Sequence, residues 1–277
     1  MFRLRRVNNM IQVVGLGLFL LFAIGPIYWM LVTSLTPENL LFAWPINFFP
    51  TVPTIEHYIA VFYRTNILLF FSNSLVVASL ASACTLAVSV LGGYALARYQ
   101  FRGRQITLLM FLITQMVPIV VMIVPLFIIF RWLGLLDTLY SLMIVYTVLN
   151  IPFCTILMQG FFAGIPTELE EAAMVDGCNR MEAILRVAIP LTRPGLLATF
   201  LFAFIGAWNE LLFAVMFLNT DANFTLPVSL YNFISQYDIH WGRMMAGATL
   251  ALLPALVIFA FVQRFMVRGL VLGALKG

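Results

Sequence analysis

Two groups of polar residues in this sequence are placed where they could do work. "EEAAMVDGCNRMEAILRVAIP", residues 170–190, carries four acids and two arginines between strongly apolar segments. Trp208, Asn209 and Glu210 sit inside such a segment, where an ionised side chain costs about 2.5–3.5 kcal/mol on insertion scales. Neither group reads as a catalytic centre. The chain has no HExxH, no GxSxG, and no acids and histidines at metal-ligand spacing within an apolar segment. Its one lysine, Lys276, lies next to the end, so there is no GK[ST] phosphate loop and no ATP site of that kind. Cys84, Cys154 and Cys178 show no metal spacing and no disulfide pattern. No catalytic residue, metal or cofactor is expected of the chain itself.

For Trp208, Asn209 and Glu210 two roles compete. An aromatic face with hydrogen-bonding neighbours suits a translocation path for a polyhydroxylated solute, and polar side chains equally hold membrane helices together. Gln115 and Asn150 are the other polar residues of interest in apolar segments, near Pro118 and Pro152. Broken helix geometry there would leave backbone groups able to line a cavity, although packing is the simpler account.

The elements that must position these residues are membrane helices. Hydrophobic residues make up 63% of the 277 and charged residues 9%, which excludes a soluble domain with a charged surface. Six apolar stretches, at 11–34, 67–97, 105–130, 138–162, 196–218 and 245–267, reach the length of about 20 residues that a bilayer crossing needs. With the N-terminus inside, Arg3, Arg5, Arg6, Arg98, Arg102, Arg104, Arg180, Arg186, Arg193, Arg264, Arg268 and Lys276 share one side, and only Arg64, Arg131 and Arg243 the other. That bias puts both termini and the 170–190 loop in the cytoplasm. The net charge of +4 then reflects topology, and no nucleic-acid partner is expected. His57 and His240 fall in external loops as solvated residues. "NFT" at 223–225 is formally a glycosylation triplet, in an external loop better suited to contacting a soluble partner.

Local rules make the charged loop two short helices. Thr167 and Glu170 match a capping box, Gly177 supplies a left-handed stop, Asn179 with Glu182 caps the second helix, and Pro190 ends it. Leu169, Ala172, Ala173 and Asp176 share a face. The acids Glu168, Glu170, Glu171 and Asp176 disfavour the alternative of a loop lying on an anionic leaflet, so docking on another protein is expected.

"EAAMVDG", nine residues, then "VAIP" resembles the EAA motif of ABC importer permeases, with Val187 and Ile189 as conservative replacements. "YQFRGR", "AWNELLFAVMFLN" and "RGLVLGALKG" are similar to the shorter permease of maltose-type sugar importers, so the likeness runs along nearly the whole chain. It implies an all-α integral membrane protein of the type I importer permease fold, multi-pass in the bacterial inner membrane. Residues 1–277 would form one permease domain with a coupling loop at 163–195 and a cytoplasmic tail at 268–277. Glu171, Ala172, Ala173, Asp176 and Gly177 would dock on a cytoplasmic ATPase, and Lys276 and Gly277 would touch it as well. The implied partners are a second permease, two ATPase copies that bind ATP and Mg, an extracytoplasmic substrate-binding protein and membrane lipid. The implied function is ATP-driven uptake of a sugar or related polyol. A secondary transporter or channel is the rival, but it calls for ion-coupling carboxylates or a duplicated architecture, and the sequence displays neither.

Overall fold

A chain this apolar can cross lipid only if its backbone hydrogen bonds close within helices or a barrel. Helices form. The computed structural model describes residues 2–234 and 239–274, with side chains at 12–234 and 239–260. In order these are α1 (Phe2–Ser34), α2 (Glu56–Arg64), α3 (Ile67–Arg98), α4 (Arg104–Met116), α5 (Ile119–Trp132), α6 (Leu139–Ala163), α7 (Glu168–Val175), α8 (Arg180–Ala183), α9 (Ile189–Leu191), α10 (Arg193–Asn209), α11 (Leu212–Phe217), α12 (Leu226–Tyr231) and α13 (Trp241–Ala274).

Segments Gln12–Ser34, Ile67–Arg98, Leu139–Ala163 and Trp241–Ala260 are each long and apolar enough to cross a membrane, and two bent pairs raise the number to as many as six. Two of the six apolar stretches are not single continuous helices. The stretch 105–130 is two helices, α4 and α5, meeting at 98°. Pro118 is the cause: it bars its predecessor from the helical region, and Val117 is extended at φ −76°, ψ 120°. The stretch 196–218 is also interrupted, because α10 stops at Asn209 and Glu210 is extended at φ −72°, ψ 127° before α11 begins. Hydropathy averaged over a window is blind to such breaks, since the segments on either side are apolar.

The described residues divide into two compact units, one within Met1–Leu68 and Ser229–Leu253, the other within Leu69–Val228 and Pro254–Gly277. In the first, the Tyr58 and Ser34 hydroxyls lie 2.8 Å apart, and the His57 ring nitrogen Nε2 is 2.9 Å from the Thr36 carbonyl. His57 is only 6% exposed, and a Cβ at Gly242 would fall 2.2 Å from its ring. It is therefore a packed residue tying α2 to the end of α1, not the solvated loop histidine the sequence suggested.

In the second unit α3, α6 and α10 form the centre. Gly92 and Gly93 let the backbones of α3 and α6 approach: a Cβ at Gly93 would lie 2.7 Å from Met158. Small residues allow such contact in membranes, where apolar burial between helices gives little drive. Thr155 donates to Ser89 and Thr147 to the Ala81 carbonyl at 3.3 Å along the same seam.

Asp137, between α5 and α6, closes the opposite end of this unit. Its carboxylate accepts from the Thr220 hydroxyl and from the backbone amides of Asn219 and Thr220, each at 2.9 Å. Its own amide donates to the Phe217 carbonyl at 2.8 Å. The Thr220 hydroxyl first, then the two amides, stabilise the ionised form and lower its pKa from 3.8 to about 2. Because the folded value is the lower one, the stabilisation is complete above the unfolded value and disappears as pH falls through about 2. In detergent, wild type should therefore melt above Asp137→Asn at neutral pH, with the gap closing as the solution is acidified toward pH 2; a gap independent of pH would contradict this clamp.

Candidate functional site

The elbow between α6 and α10 is built from local signals. Three acids, Glu168, Glu170 and Glu171, occupy the first turn of α7, where the helix dipole favours negative charge. The helix ends at Gly177, at φ 95°. The Gly177 amide donates to Met174 O and the Cys178 amide to Ala173 O, the two bonds of a Schellman stop. Asn179 and Glu182 then make the expected capping box, each amide donating to the other's side chain at 2.9 Å. Pro190 does not end this limb: it lies within α9, after a π-helical run Ile184–Ala188. The turn into α10 comes at Thr192, and the two helical limbs there differ by 76°.

Thr167 makes no side-chain cap and is itself helical at φ −65°, ψ −28°. Its expected partner, Glu170, turns the other way. One Glu170 carboxylate oxygen receives the Tyr94 hydroxyl at 2.6 Å. The other accepts from Arg98 Nε at 2.8 Å, with Nη2 of the same ion pair 2.7 Å away. Arg98 also donates to the Ile165 carbonyl at 3.0 Å. Both charged side chains are almost fully buried, at 7% and 8% exposure, and the Tyr94 ring packs edge-on against Phe162. Sequence reasoning missed this joint. Its signal was modest: Tyr94 and Arg98 stand four apart on α3, and Glu170, Ala173 and Met174 form a helical face.

With Glu170 facing inward and Ala173 half-buried, the residues Glu171, Ala172, Asp176 and Gly177 are exposed. Around them Leu169, Val175, Met181 and Leu185 are exposed too, Val175 at 87%. The outward surface of the elbow is thus apolar and small-residued at its centre, with carboxylates beside it, on a frame fixed by two caps and a buried ion pair.

The path candidates separate into those that meet and those that do not. Glu210 lies at the break after α10. It accepts from the Tyr146 hydroxyl at 2.6 Å and from the Phe213 and Ala214 amides at 3.0 and 3.3 Å, capping α11. Asn150, one turn along α6 from Tyr146, donates to the Tyr146 carbonyl at 2.7 Å and faces Gly206 of α10. Trp208 is buried, stacked on Phe204 and edge-on to Phe71. Asn209 is exposed, and Gln115 is exposed near the end of α4. A cleft of about 510 Å³ among Trp29, Phe42, Trp44 and Trp241 holds none of these residues. Among the described residues no group of three or more His, Cys, Asp or Glu could hold a metal ion. Lys276 and Gly277 lie outside the described residues.

Residues 89–271 match the family described as the binding-protein-dependent transport system inner membrane component. The chain belongs to that family. It is 37% identical over 267 residues to the sulfoquinovosyl glycerol transport system permease protein SmoH of Agrobacterium fabrum, covering 96% of this chain and 94% of that protein. It is 38% identical to the diacetylchitobiose uptake system permease protein DasC of Streptomyces coelicolor, over 91% of each chain. In fold it is similar to a chain of a bacterial ABC transporter involved in the import of the acidic polysaccharide alginate, with a TM-score of 0.80 at 24% identity over 95% of this chain and 98% of that one.

As a binding-protein-dependent permease, the chain is a multi-pass protein of the bacterial inner membrane and a transport subunit, not an enzyme. Its all-α, multi-span architecture is consistent with the type I importer permeases. The matched residues begin within α3 and contain Tyr94, Arg98, the whole elbow and Glu210.

In this permease Glu210→Ala would leave two amides and the Tyr146 hydroxyl without their acceptor, at about 1–3 kcal/mol for each group left buried and unpaired. Its melting midpoint in detergent should fall further than that of Tyr146→Phe. An unchanged midpoint in Glu210→Ala, with transport lost, would instead assign Glu210 to the solute path.

Proposed function

We propose that this permease carries a sugar, oligosaccharide or related polyol inward, with its elbow as the docking point for the ATPase. The observation that carries the reading is the exposure of Glu171, Ala172, Asp176 and Gly177, with Ala173 behind them, on a rigidly capped two-helix elbow. A surface of small residues admits close approach by a partner, and rigid caps pass displacement on instead of absorbing it. The cargo class is supported by the glycoside and chitobiose derivatives for which the relatives are named.

In the proposed assembly, residues 1–277 act as one permease domain beside a second, similar permease. Two copies of a cytoplasmic ATPase bind ATP and Mg, and an extracytoplasmic binding protein delivers the solute. The arginine bias supports both termini and the coupling loop, 163–195, lying in the cytoplasm. The tail at 268–277, with Lys276 and Gly277, adds a second contact to the ATPase. Closure of the ATPase pair draws the elbows together and turns the helices from inward-open to outward-open. Trp208, Asn209, Glu210, Gln115 and Asn150 contribute to the solute path, with Asn150 and Glu210 meeting through Tyr146 on the α6–α10 seam.

The test is co-purification in detergent with candidate ATPase and partner permease subunits, followed by hydrolysis rates with and without loaded binding protein. The intact chain should recover the ATPase and show a rate that rises with binding protein. Glu171→Lys and Gly177→Asp should lose that rise. Solute movement in vesicles with no ATPase associated would point instead to a transporter that works alone.

A further inference from the structure

The elbow is joined to its neighbours through two short connections: 164–167 on the α6 side, and the turn at Thr192 on the α10 side. Beyond these connections, Ile184 and Ala188 of the second limb pack with Met158 and Phe162 of α6, and the polar side-chain contacts gather at the last turns of α3. Arg98 holds the Glu170 carboxylate and the Ile165 carbonyl together, so it grips both α7 and the strand of chain leading into it. Tyr94, one turn back, takes the second Glu170 oxygen. On the other limb, Arg180 at the start of α8 donates to the Tyr99 hydroxyl at 3.0 Å and lies over the Tyr99 ring at 5.3 Å. Arg104, opening α4, donates to the Leu96 carbonyl at 2.8 Å. The end of α3 is thus bonded to both limbs of the elbow and to the next helix.

A buried ion pair is a weak source of net stability, since desolvation offsets most of its attraction. What it supplies is direction: a planar guanidinium whose Nε donates to one carboxylate oxygen while its Nη2 donates to the Ile165 carbonyl, with a hydroxyl on the other carboxylate oxygen, allows one arrangement and resists sliding. We propose that Glu170, held by Arg98 and Tyr94, is a positioning residue that makes the elbow and α3 move as one body, so that ATPase displacement reaches the membrane through α3. This rests on the reading that the elbow docks on the ATPase. It assigns force transfer to a residue preceding the exposed docking surface and to two residues on a different helix.

The chain carries its own reporters. Cys84 is exposed on α3 and Cys178 is partly exposed on the elbow, while Cys154 is buried. With spin labels on Cys84 and Cys178 in a Cys154→Ser background, the complex of permeases and ATPase is measured by pulsed electron resonance without nucleotide and with Mg-ATP. The intact joint should give a narrow distance distribution that does not move when Mg-ATP is added. Glu170→Gln and Arg98→Gln should broaden it and make it shift with Mg-ATP, while the ATPase still co-purifies. The exchanged pair, Arg98→Glu with Glu170→Arg, should narrow it again. Tyr94→Phe removes only a hydroxyl and should show the same broadening to a smaller degree, which decides the matter if the charge variants fail to assemble. A merely structural role would lower melting or yield without creating a nucleotide-dependent shift. Distributions unchanged in Glu170→Gln and Tyr94→Phe overturn the proposal while leaving the docking reading intact. Failure of the intact chain to recover any ATPase overturns the docking reading on which it rests.

Discussion

Hydrocarbon offers no partner to an open backbone hydrogen bond, and this constraint organises the permease. At several places where the chain departs from helix, a side chain takes up the open backbone groups. At the break after Asn209, the Glu210 carboxylate receives the first free amides of α11. At the end of α6, the Arg98 guanidinium takes the Ile165 carbonyl. At the α5–α6 turn, Asp137 collects the amides of Asn219 and Thr220. The chain's few acids are thus concentrated at discontinuities, which makes the same residues structural anchors and the places where movement can be introduced.

That economy explains why charged residues here resist a single label. Glu210 is a helix cap and a partner of Tyr146, and it also faces the seam on which Asn150 lies. A cap at a broken helix leaves backbone groups near a cavity, so capping and lining a path are compatible for one carboxylate. Trp208 differs, because its ring is committed to Phe204 and Phe71.

Much of this was legible in the sequence wherever the governing physics is local. Segment length and apolarity locate the spans, the Gly177 stop needs only a residue free to adopt positive φ, and the Asn179–Glu182 box closes within four residues. What escaped was set by distance. Thr167 and Glu170 have the spacing of a capping box, yet a full charge on Arg98 and a hydroxyl on Tyr94 outbid one weak cap, and those partners lie 72 and 76 residues away. His57 reads as a polar loop residue until Gly242, from the far end of the chain, closes over its ring. The breaks at Val117 and Glu210 differ again: the proline and the acid were visible, and broken geometry beside Pro118 was expected, but apolarity averaged over a window does not show where a helix stops.

The Arg98–Glu170 joint also has a history in synthesis. Arg98 emerges 72 residues before its partner, an interval on the order of 4–14 s at ordinary translation rates. During that time the guanidinium has neither Glu170 nor the Ile165 carbonyl. Its position as the last residue of α3 makes the wait tolerable, because a long basic side chain at a helix end reaches the lipid headgroups. Only when α6 and the elbow have followed can it leave those headgroups and turn inward. Closure of this joint therefore has to await synthesis of α6 and the elbow.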